Sequence, residues 1–255
     1  MTALLDAAGL GHRYGGVSAL CDVGISLRRG EVHAVIGPNG AGKTTLLNLL
    51  TGVLVPRSGR ILLRGRDIAG RTAVDIARLG VARTFQQSQV FMEASVRENL
   101  RLAAQRGERD AVSPLRGAGV WGMQAGSSRA AQRVAAVLEQ MNLVDQADEA
   151  AANLSHGGRR LLEIGMCLAM SAEVLLLDEP LAGLDAREAE RMIRRVDMLA
   201  ADHAIMLIEH DMDAVFRLAA RITVLAEGRL IACGDGETIR RHPAVQRAYL
   251  GAHHG

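Results

Sequence analysis

The chain has 255 residues, of which 49% are hydrophobic and only 2% aromatic, and its formal net charge is +2 at pH 7. This length corresponds to one large domain or two small ones and is ample for a hydrophobic core. The near-neutral charge gives no field that would favour nucleic acid or an anionic membrane surface as a partner.

The cysteines and the apolar stretches exclude further classes. Cys21, Cys167 and Cys233 lie far apart, and without a CxxC or HExxH motif neither a disulfide framework nor a zinc site is predicted. A reducing compartment fits this cysteine usage. The first residues lack the pattern of a secretory signal, and no apolar run reaches the length of a membrane span.

Apolar runs and turn residues predict an alternation of strands and helices in the first third of the chain. The predicted strands are 31–36, 59–68 (with a turn) and 81–85, and the predicted helices are 44–51, ending at Gly52, and 72–79.

The middle of the chain is predicted to be helical. Ser95 and Glu98 have the spacing of a capping box, which predicts a helix that begins there. Residues 106–130, which include Trp121, are rich in Gly, Ser and Arg without a clear period, so they predict a loop or a loosely ordered insertion. Two more helices are predicted, one from apolar residues at helical spacing and one over 158–170; the spaced residues are Val134, Val137, Leu138 and Met141.

The last third again alternates. Residues 174–177 and 204–208 are continuous apolar runs, which is typical of parallel strands buried on both faces. An amphipathic helix is predicted between them, and 221–234 predicts two strands around a Glu-Gly turn. The apolar positions of that helix are Ala189, Met192, Ile193, Val196 and Leu199.

Lys43 is the only lysine in the chain, although the chain has 30 basic residues. It lies in GPNGAGKT, residues 37–44, which matches the phosphate-loop pattern GxxxxGK[ST] between a predicted strand and a predicted helix. Glycines let backbone N–H groups point at phosphate oxygens, and the helix start adds a positive dipole end. A compact ammonium fits such a tight loop better than a planar guanidinium. The predicted nucleotide-binding residues here are Gly37, Pro38, Asn39, Gly40, Ala41, Gly42, Lys43, Thr44 and Thr45, and Thr44 also offers its hydroxyl to Mg²⁺.

Two acidic residues follow the predicted strand at 174–177. Asp178 and Glu179 stand at the carboxyl end of a parallel strand, where ligands bind in sheets of this kind. Asp178 is predicted to contact Mg²⁺, and Glu179 is predicted to act as the general base for an attacking water. A solvated acidic turn before Pro180 is the alternative interpretation.

With these motifs the chain resembles the ATP-binding subunits of ABC transporters along nearly its whole length. Further markers follow in the order typical of that family: Tyr14, Gln86, LSHGG at 154–158, AGLD at 182–185 and His210. The resemblance implies that Tyr14 stacks on adenine, that Gln86 bridges Mg²⁺ and the attacking water, and that His210 contacts the γ-phosphate. The implied catalytic residues are Glu179, His210 and Gln86, and the implied metal-contacting residues are Thr44, Gln86 and Asp178.

The resemblance also implies an α/β fold of the P-loop NTPase type, with a parallel-sheet core, an antiparallel β subdomain and an inserted helical subdomain. Residues 1–255 would form a single ABC ATPase domain. Its implied parts are the core with the β subdomain at 1–90 and 171–234, the helical subdomain with LSHGG at 91–170, and a C-terminal helical tail at 235–255.

Two such subunits are implied to close head to tail around two ATP molecules, and hydrolysis would reopen the dimer. Each site would combine one chain's phosphate loop with the partner's LSHGG segment, where Ser155 and the backbone N–H of Gly157 bind the γ-phosphate. The usual family signature is LSGGQ, so His156 and Gly158 depart from it. His156 is either a surface residue or a pH-dependent contact, since histidine titrates near neutrality.

A finer resemblance is to the ATPases of branched-chain amino acid uptake systems and of related urea and amide importers. It rests on GVARTFQ (80–86), LEIGMCLA (162–169), LLLDEPLAGLD (175–185) and the tail HPAVQRAYLG (242–251). The implied partners are two membrane permease subunits, a sister ATP-binding subunit in a hetero- or homodimer, and an extracytoplasmic solute-binding protein, but no nucleic acid. The chain would be peripheral, on the cytoplasmic face of the plasma (inner) membrane.

Three other functions remain as alternatives at this point. An ABC-type ATPase of DNA repair or chromosome organisation needs a long coiled coil, and the gap from Gln86 to Leu154 is too short and too Gly-rich for one. A phosphate-loop kinase or GTPase is disfavoured by LSHGG and His210. An exporter is disfavoured only by the tail and the RTFQ context, and the sequence does not identify the solute.

Overall fold

The computed structural model describes residues 3–84, 90–108 and 120–250. The strands are β1 (Leu5–Tyr14), β2 (Val17–Leu27), β3 (Glu31–Ile36), β4 (Ser58–Leu63), β5 (Arg66–Asp67), β6 (Val81–Arg83), β7 (Val174–Asp178), β8 (Ala204–Ile208), β9 (Arg221–Ala226) and β10 (Arg229–Gly234). The helices are α1 (Lys43–Leu50), α2 (Ala73–Arg78), α3 (Val96–Glu108), α4 (Val120–Met141), α5 (His156–Ala169), α6 (Ala186–Ala200), α7 (Met212–Leu218), α8 (Gly236–Arg241) and α9 (Pro243–Leu250), with a short 3₁₀ helix at Ala151–Asn153.

The larger sheet of the described chain has the strand order β10-β9-β3-β8-β7-β6. Its pairs are parallel except for the β9–β10 hairpin. Strands β7 and β8 are buried throughout because helices and the second sheet cover both faces. Parallel pairing brings the carboxyl ends of β3, β7 and β8 to one edge of this sheet, here named the carboxyl edge, where Asp178 pairs in register with Ile208 and Ile208 with Val35.

The second sheet is antiparallel, with the order β2-β1-β4-β5. Irregularities interrupt the pairing of β1 with both β2 and β4. The sequence pattern predicts no strand for residues 5–27, because these irregularities break the strict apolar alternation that marks a half-buried strand. Buried apolar residues of this sheet share a core with α1 and with one face of the larger sheet.

His33 fastens the two sheets together. Its Nδ1 lies 3.0 Å from the Ser26 carbonyl oxygen of β2, and its Nε2 lies 2.8 Å from Thr223 Oγ1 of β9. Burial is the main cause that lowers the pKa of His33 to about 4. The ring is therefore neutral near pH 7 and acts as a structural hydrogen-bonding link rather than as a charge.

Helices α3, α4 and α5 pack on one another around a large apolar cluster. The capping box at the start of α3 is confirmed: Glu98 N donates to Ser95 Oγ (3.2 Å) and Ser95 N donates to Glu98 Oε2 (2.9 Å). The predicted helices at 158–170 and through 134–141 are also present. None of the helices in the described ranges is both long and apolar enough to cross a membrane.

The prediction of a loop over 106–130 is wrong at both ends. Residues 106–108 continue α3, and α4 already begins at Val120, so that Trp121 lies in its first turn; 109–119 lie outside the described residues. The last three turns of α4 bury Val134, Val137 and Leu138. Once such a packed segment is helical, each further residue adds one hydrogen bond, so the helix extends through residues that have no apolar period of their own.

Candidate active site at the carboxyl edge

The glycine-rich loop runs from the end of β3 to the start of α1, and two of its glycines are sterically required. Gly37 has φ 153° and Gly42 has φ 102°, values that side-chain-bearing residues rarely adopt. A Cβ on Gly37 would lie 2.1 Å from the carbonyl oxygen of Leu225, and one on Gly42 would lie 2.7 Å from that of Ala19. The loop can therefore take this path only with glycine at both positions.

The β9–β10 turn is hydrogen-bonded to the glycine-rich loop. The Gly228 N–H donates to the carbonyl oxygen of Ala41 (3.1 Å), and the Gly228 carbonyl accepts from the Cys21 N–H (2.8 Å). The turn is the predicted Glu-Gly pair, with φ 50° at Glu227 and 71° at Gly228. Its contact with the loop was not foreseen, because it joins residues almost 190 positions apart in sequence.

Lys43 folds back into the loop that precedes it. Its Nζ donates to the carbonyl oxygens of Gly37 (2.6 Å) and Pro38 (3.0 Å), and the residue is only 8% exposed. Burial lowers the pKa of Lys43, against the opposing effects of the carboxylates of Glu179 and Asp178. The ammonium is thus held at the carboxyl edge, next to two acidic residues.

Asp178 ends β7 and is 2% exposed. Its Oδ2 lies 3.4 Å from Nη2 of Arg83, whose Nη1 donates to Asn48 Oδ1 of α1 at 2.6 Å. The Asp178 N–H donates to Thr84 Oγ1 (3.2 Å). Burial raises the pKa of Asp178, while the charge of Arg83 opposes that effect. Arg83 therefore joins the helix after the phosphate loop to the acidic strand end.

Glu179 and His210 form a direct pair across the carboxyl edge. His210 Nε2 lies 2.8 Å from Glu179 Oε1. Both side chains reach solvent, with 50% of the His210 side chain and 25% of the Glu179 side chain exposed. Glu179 has φ 50°, and its N–H donates to the Ile208 carbonyl oxygen (2.9 Å). A non-glycine residue in this left-handed region costs of order 1–3 kcal/mol, and such strain is concentrated at functional sites. The Glu179 carboxylate is thus partly exposed at the carboxyl edge and in contact with His210.

Glu209 is a site residue that sequence reasoning missed. It is 4% exposed, its Oε1 accepts from the Leu181 N–H (2.7 Å), and its Oε2 accepts from the His210 N–H (3.1 Å). Burial raises the pKa of Glu209, and these backbone hydrogen bonds lower it. The carboxylate ties the loop after Glu179 to the loop of His210. The sequence feature that could have pointed to Glu209 is its position as an acidic residue directly after the buried run 204–208.

If the chain is the ATPase that its motifs imply, Glu209→Gln should slow ATP hydrolysis by about tenfold with little change in ATP affinity. The glutamine amide nitrogen can only donate, so one of the two backbone N–H groups loses its acceptor, at a cost of ~1–3 kcal/mol. Steady-state hydrolysis rates, together with ATP affinity measured by fluorescence, would separate an effect on turnover from an effect on binding. Glu139→Gln makes the same chemical change at an exposed position of α4 and should have no effect. Equal loss of binding and turnover would contradict a positioning role.

The LSHGG segment, residues 154–158, begins α5. Ser155 is the N-cap, and its Oγ accepts from the Gly158 N–H (3.0 Å). The same Oγ donates to Glu188 Oε1 (2.8 Å), and the Gly157 N–H donates to that oxygen as well (3.3 Å). In this single chain, the segment is thus bonded to α6, not to the phosphate loop.

The remaining predicted site residues make few contacts in the described structure or lie outside it. Tyr14, 50% exposed at the end of β1, stacks edge to face on His12 with ring centroids 4.9 Å apart. Thr44 is exposed and Thr45 buried at the start of α1. Gln86, predicted to contact Mg²⁺ and water, lies outside the described residues.

The described residues contain no cluster of three or more His, Cys, Asp or Glu suited to a metal. Mg²⁺ does not require one, because it commonly takes one or two protein oxygens and completes its shell with water and substrate phosphates. The hydroxyl of Thr44 and the carboxylate of Asp178, at the start of α1 and the end of β7, are donors of that kind. The donor set therefore fits a magnesium–nucleotide complex.

Comparisons with known proteins agree with this geometry. Residues 20–182 match the family model described as ABC transporter, and residues 229–255 match the model described as branched-chain amino acid ATP-binding cassette transporter. The second match contains the tail singled out in the sequence.

The relatives match over almost their full lengths. The chain is 42% identical to the high-affinity branched-chain amino acid transport ATP-binding protein LivG of Salmonella typhimurium, over 97% of this chain and 98% of that protein. It is 39% identical to the corresponding protein BraF of Pseudomonas aeruginosa, with the same coverage. A crystal structure of the ADP conformation of an ABC transporter ATP-binding cassette superposes with a TM-score of 0.84 at 29% identity, over 98% of this chain and all of that one. The predicted α/β fold of the P-loop ABC type is thereby confirmed.

Proposed function

The chain belongs to the ABC transporter family as an ATP-binding subunit with ATPase activity, and we propose that the solute whose import it drives is a branched-chain amino acid. The observation that carries this proposal is the match of residues 229–255 to the branched-chain amino acid model, outside the part that matches ABC transporters in general. LivG and BraF, which are named for that transport, support it.

Nucleotide binding is assigned to the loop 37–45 and the start of α1. Backbone N–H groups of the loop and the dipole of α1 hold the phosphates, and Lys43 leaves its two carbonyl partners to bind the β- and γ-phosphates. Tyr14 stacks on adenine. Thr44, Asp178 and Gln86 would hold Mg²⁺, which would neutralise phosphate charge.

Hydrolysis is assigned to the pair at the carboxyl edge. Glu179 accepts a proton from the attacking water, and His210 orients that carboxylate and contacts the γ-phosphate. Gln86 contributes to the position of the water. Because the Glu179 backbone is held by Ile208 and the following loop by Glu209, the base has little freedom to turn away.

The complete site is assigned to two subunits. The LSHGG segment of one chain, through Ser155 and the Gly157 N–H, closes over the nucleotide held by the other. The partners are then a sister ATP-binding subunit in a hetero- or homodimer, two membrane permease subunits that receive the motion, and an extracytoplasmic solute-binding protein. The helical part 91–170 carries the segment, the core spans 1–90 and 171–234, and the tail follows from 235. The chain is peripheral, on the cytoplasmic face of the membrane.

Uptake by the assembled transporter tests this proposal. Proteoliposomes would contain this chain, its cognate permeases and a sister subunit, with the solute-binding protein outside and ATP inside. We expect ATP-dependent accumulation of labelled leucine, isoleucine or valine and none of urea. Urea uptake without leucine uptake would show that the solute is urea instead. ATP-driven efflux would show that the transporter exports its solute.

Hydrolysis by the isolated subunit is expected to depend on its concentration. If residues of two chains complete each site, the rate per subunit rises with protein concentration until pairing saturates. Dilution across two orders of magnitude at saturating ATP, with phosphate release as the readout, would show this. A specific activity that stays constant over that range, both for the chain alone and with the sister subunit added, would contradict a site shared between subunits.

A further inference from the structure

Glu188 blocks the donors with which the LSHGG segment would bind phosphate. We propose that its carboxylate holds this segment closed in the free subunit, and that ATP-driven pairing of two subunits must first displace it. The inference rests on the proposed role of Ser155 and Gly157, and it adds a residue that sets how much ATP is needed for pairing.

One carboxylate oxygen takes both donors. Glu188 Oε1 accepts from Ser155 Oγ at 2.8 Å and from the Gly157 N–H at 3.3 Å. A Cβ on Gly157 would lie 2.9 Å from Oε1 and from Cδ of Glu188, so a larger residue would push the glutamate side chain away from this position. A carboxylate oxygen thus already accepts from the two donors that are proposed to bind the γ-phosphate of the partner's ATP.

The backbone of Glu188 is held in place for this contact. Its N–H donates to Asp185 Oδ1, the N-cap of α6, at 2.8 Å. From this first turn, the side chain reaches the N-terminal end of the 14-residue helix α5. A carboxylate is stabilised there by the positive end of the helix dipole, and its hydrogen bonds are charge-assisted.

A second contact joins the same two segments. His156 Nε2 lies 3.2 Å from the Ala182 carbonyl oxygen, in the loop that leads to α6. A Cβ on Gly183 would lie 3.3 Å from the same ring nitrogen. His156, which departs from the usual signature, thus adds to the closed arrangement, provided that Nε2 carries the proton.

The carboxylate and a phosphate cannot share these donors. Both are anions, and the Ser155 hydroxyl has one proton to donate. A γ-phosphate that approaches Ser155 is also repelled by Glu188, so the glutamate side chain has to rotate away before the paired site can form. The free subunit is therefore biased against pairing at low ATP.

Pairing measured against ATP concentration tests this proposal. Glu179→Gln serves as the background because it should bind ATP without turnover. In that background we expect Glu188→Gln to lower the ATP concentration for half-maximal dimer formation by about threefold, and Glu188→Ala by about tenfold, as measured by sedimentation velocity. Glu190→Gln is the matched control, because Glu190 lies on the same helix but pairs with Arg217 (2.9 Å), and it should leave the ATP requirement unchanged.

Hydrogen exchange gives a second readout that does not depend on pairing. In the nucleotide-free subunit, the amide of Gly157 should exchange faster in Glu188→Gln than in the parent or in Glu190→Gln. An unchanged exchange rate, or a higher ATP requirement in the Glu188 variants, would overturn the proposal while the paired site stands. Absence of ATP-dependent dimers of the parent, both with itself and with the sister subunit, would overturn the paired site and the role of Glu188 together.

Discussion

Replacing Glu179 with glutamine is expected to slow ATP hydrolysis by roughly 10²–10⁴-fold while ATP binding persists. The carboxylate lies 2.8 Å from His210 Nε2 and is partly exposed, in a position to accept a proton from water. An amide has nearly the same shape but is not a base. The φ of 50° at this residue is unaffected by the change, so the loop should keep its course.

Single-turnover phosphate release by the assembled complex would measure this loss, with nucleotide affinity determined in parallel. Glu237→Gln, at an exposed position in α8, is the matched control and should behave as the parent. Unchanged turnover in Glu179→Gln would remove Glu179 from the role of base. A parallel loss of ATP affinity would instead indicate damage to the phosphate loop.

Replacing Lys43 with arginine is expected to reduce kcat/KM for ATP by about 10²-fold, although the charge is kept. Removal of one preorganised donor from a transition state typically costs that much. The Lys43 ammonium lies between two loop carbonyls in a largely buried space. A planar guanidinium needs more room and presents its donors in a fixed fork, so it cannot occupy that space without moving the loop.

Hydrolysis kinetics and ATP binding of Lys43→Arg, compared with Lys43→Met, would separate shape from charge. The two variants should be similarly impaired if shape matters as much as charge. An exchange of the same two cations at an exposed position, Arg66→Lys, should have no effect. Near-normal kinetics for Lys43→Arg would refute the steric argument.

The local elements were predicted well where one physical signal dominates. The buried strands β7 and β8 are continuous apolar runs, and the capping box at Ser95 is a pattern within four residues. The start of α4 was mispredicted because packing against α3 and α5 supports a helix whose first turns lack an apolar period. Strands β1 and β2 were not assigned because bulges interrupt their alternation.

The phosphate loop, the acidic pair after β7 and the family can be read from the amino-acid sequence alone, because each rests on residue types at fixed spacing along the chain. The contacts of Glu209 and Glu188, by contrast, become visible only in the fold. Both are acidic side chains whose partners lie about 30 residues away in sequence. Spacing along the chain carries no information on such contacts, since they depend on which loops the parallel sheet and the packing of α5 beside α6 bring together.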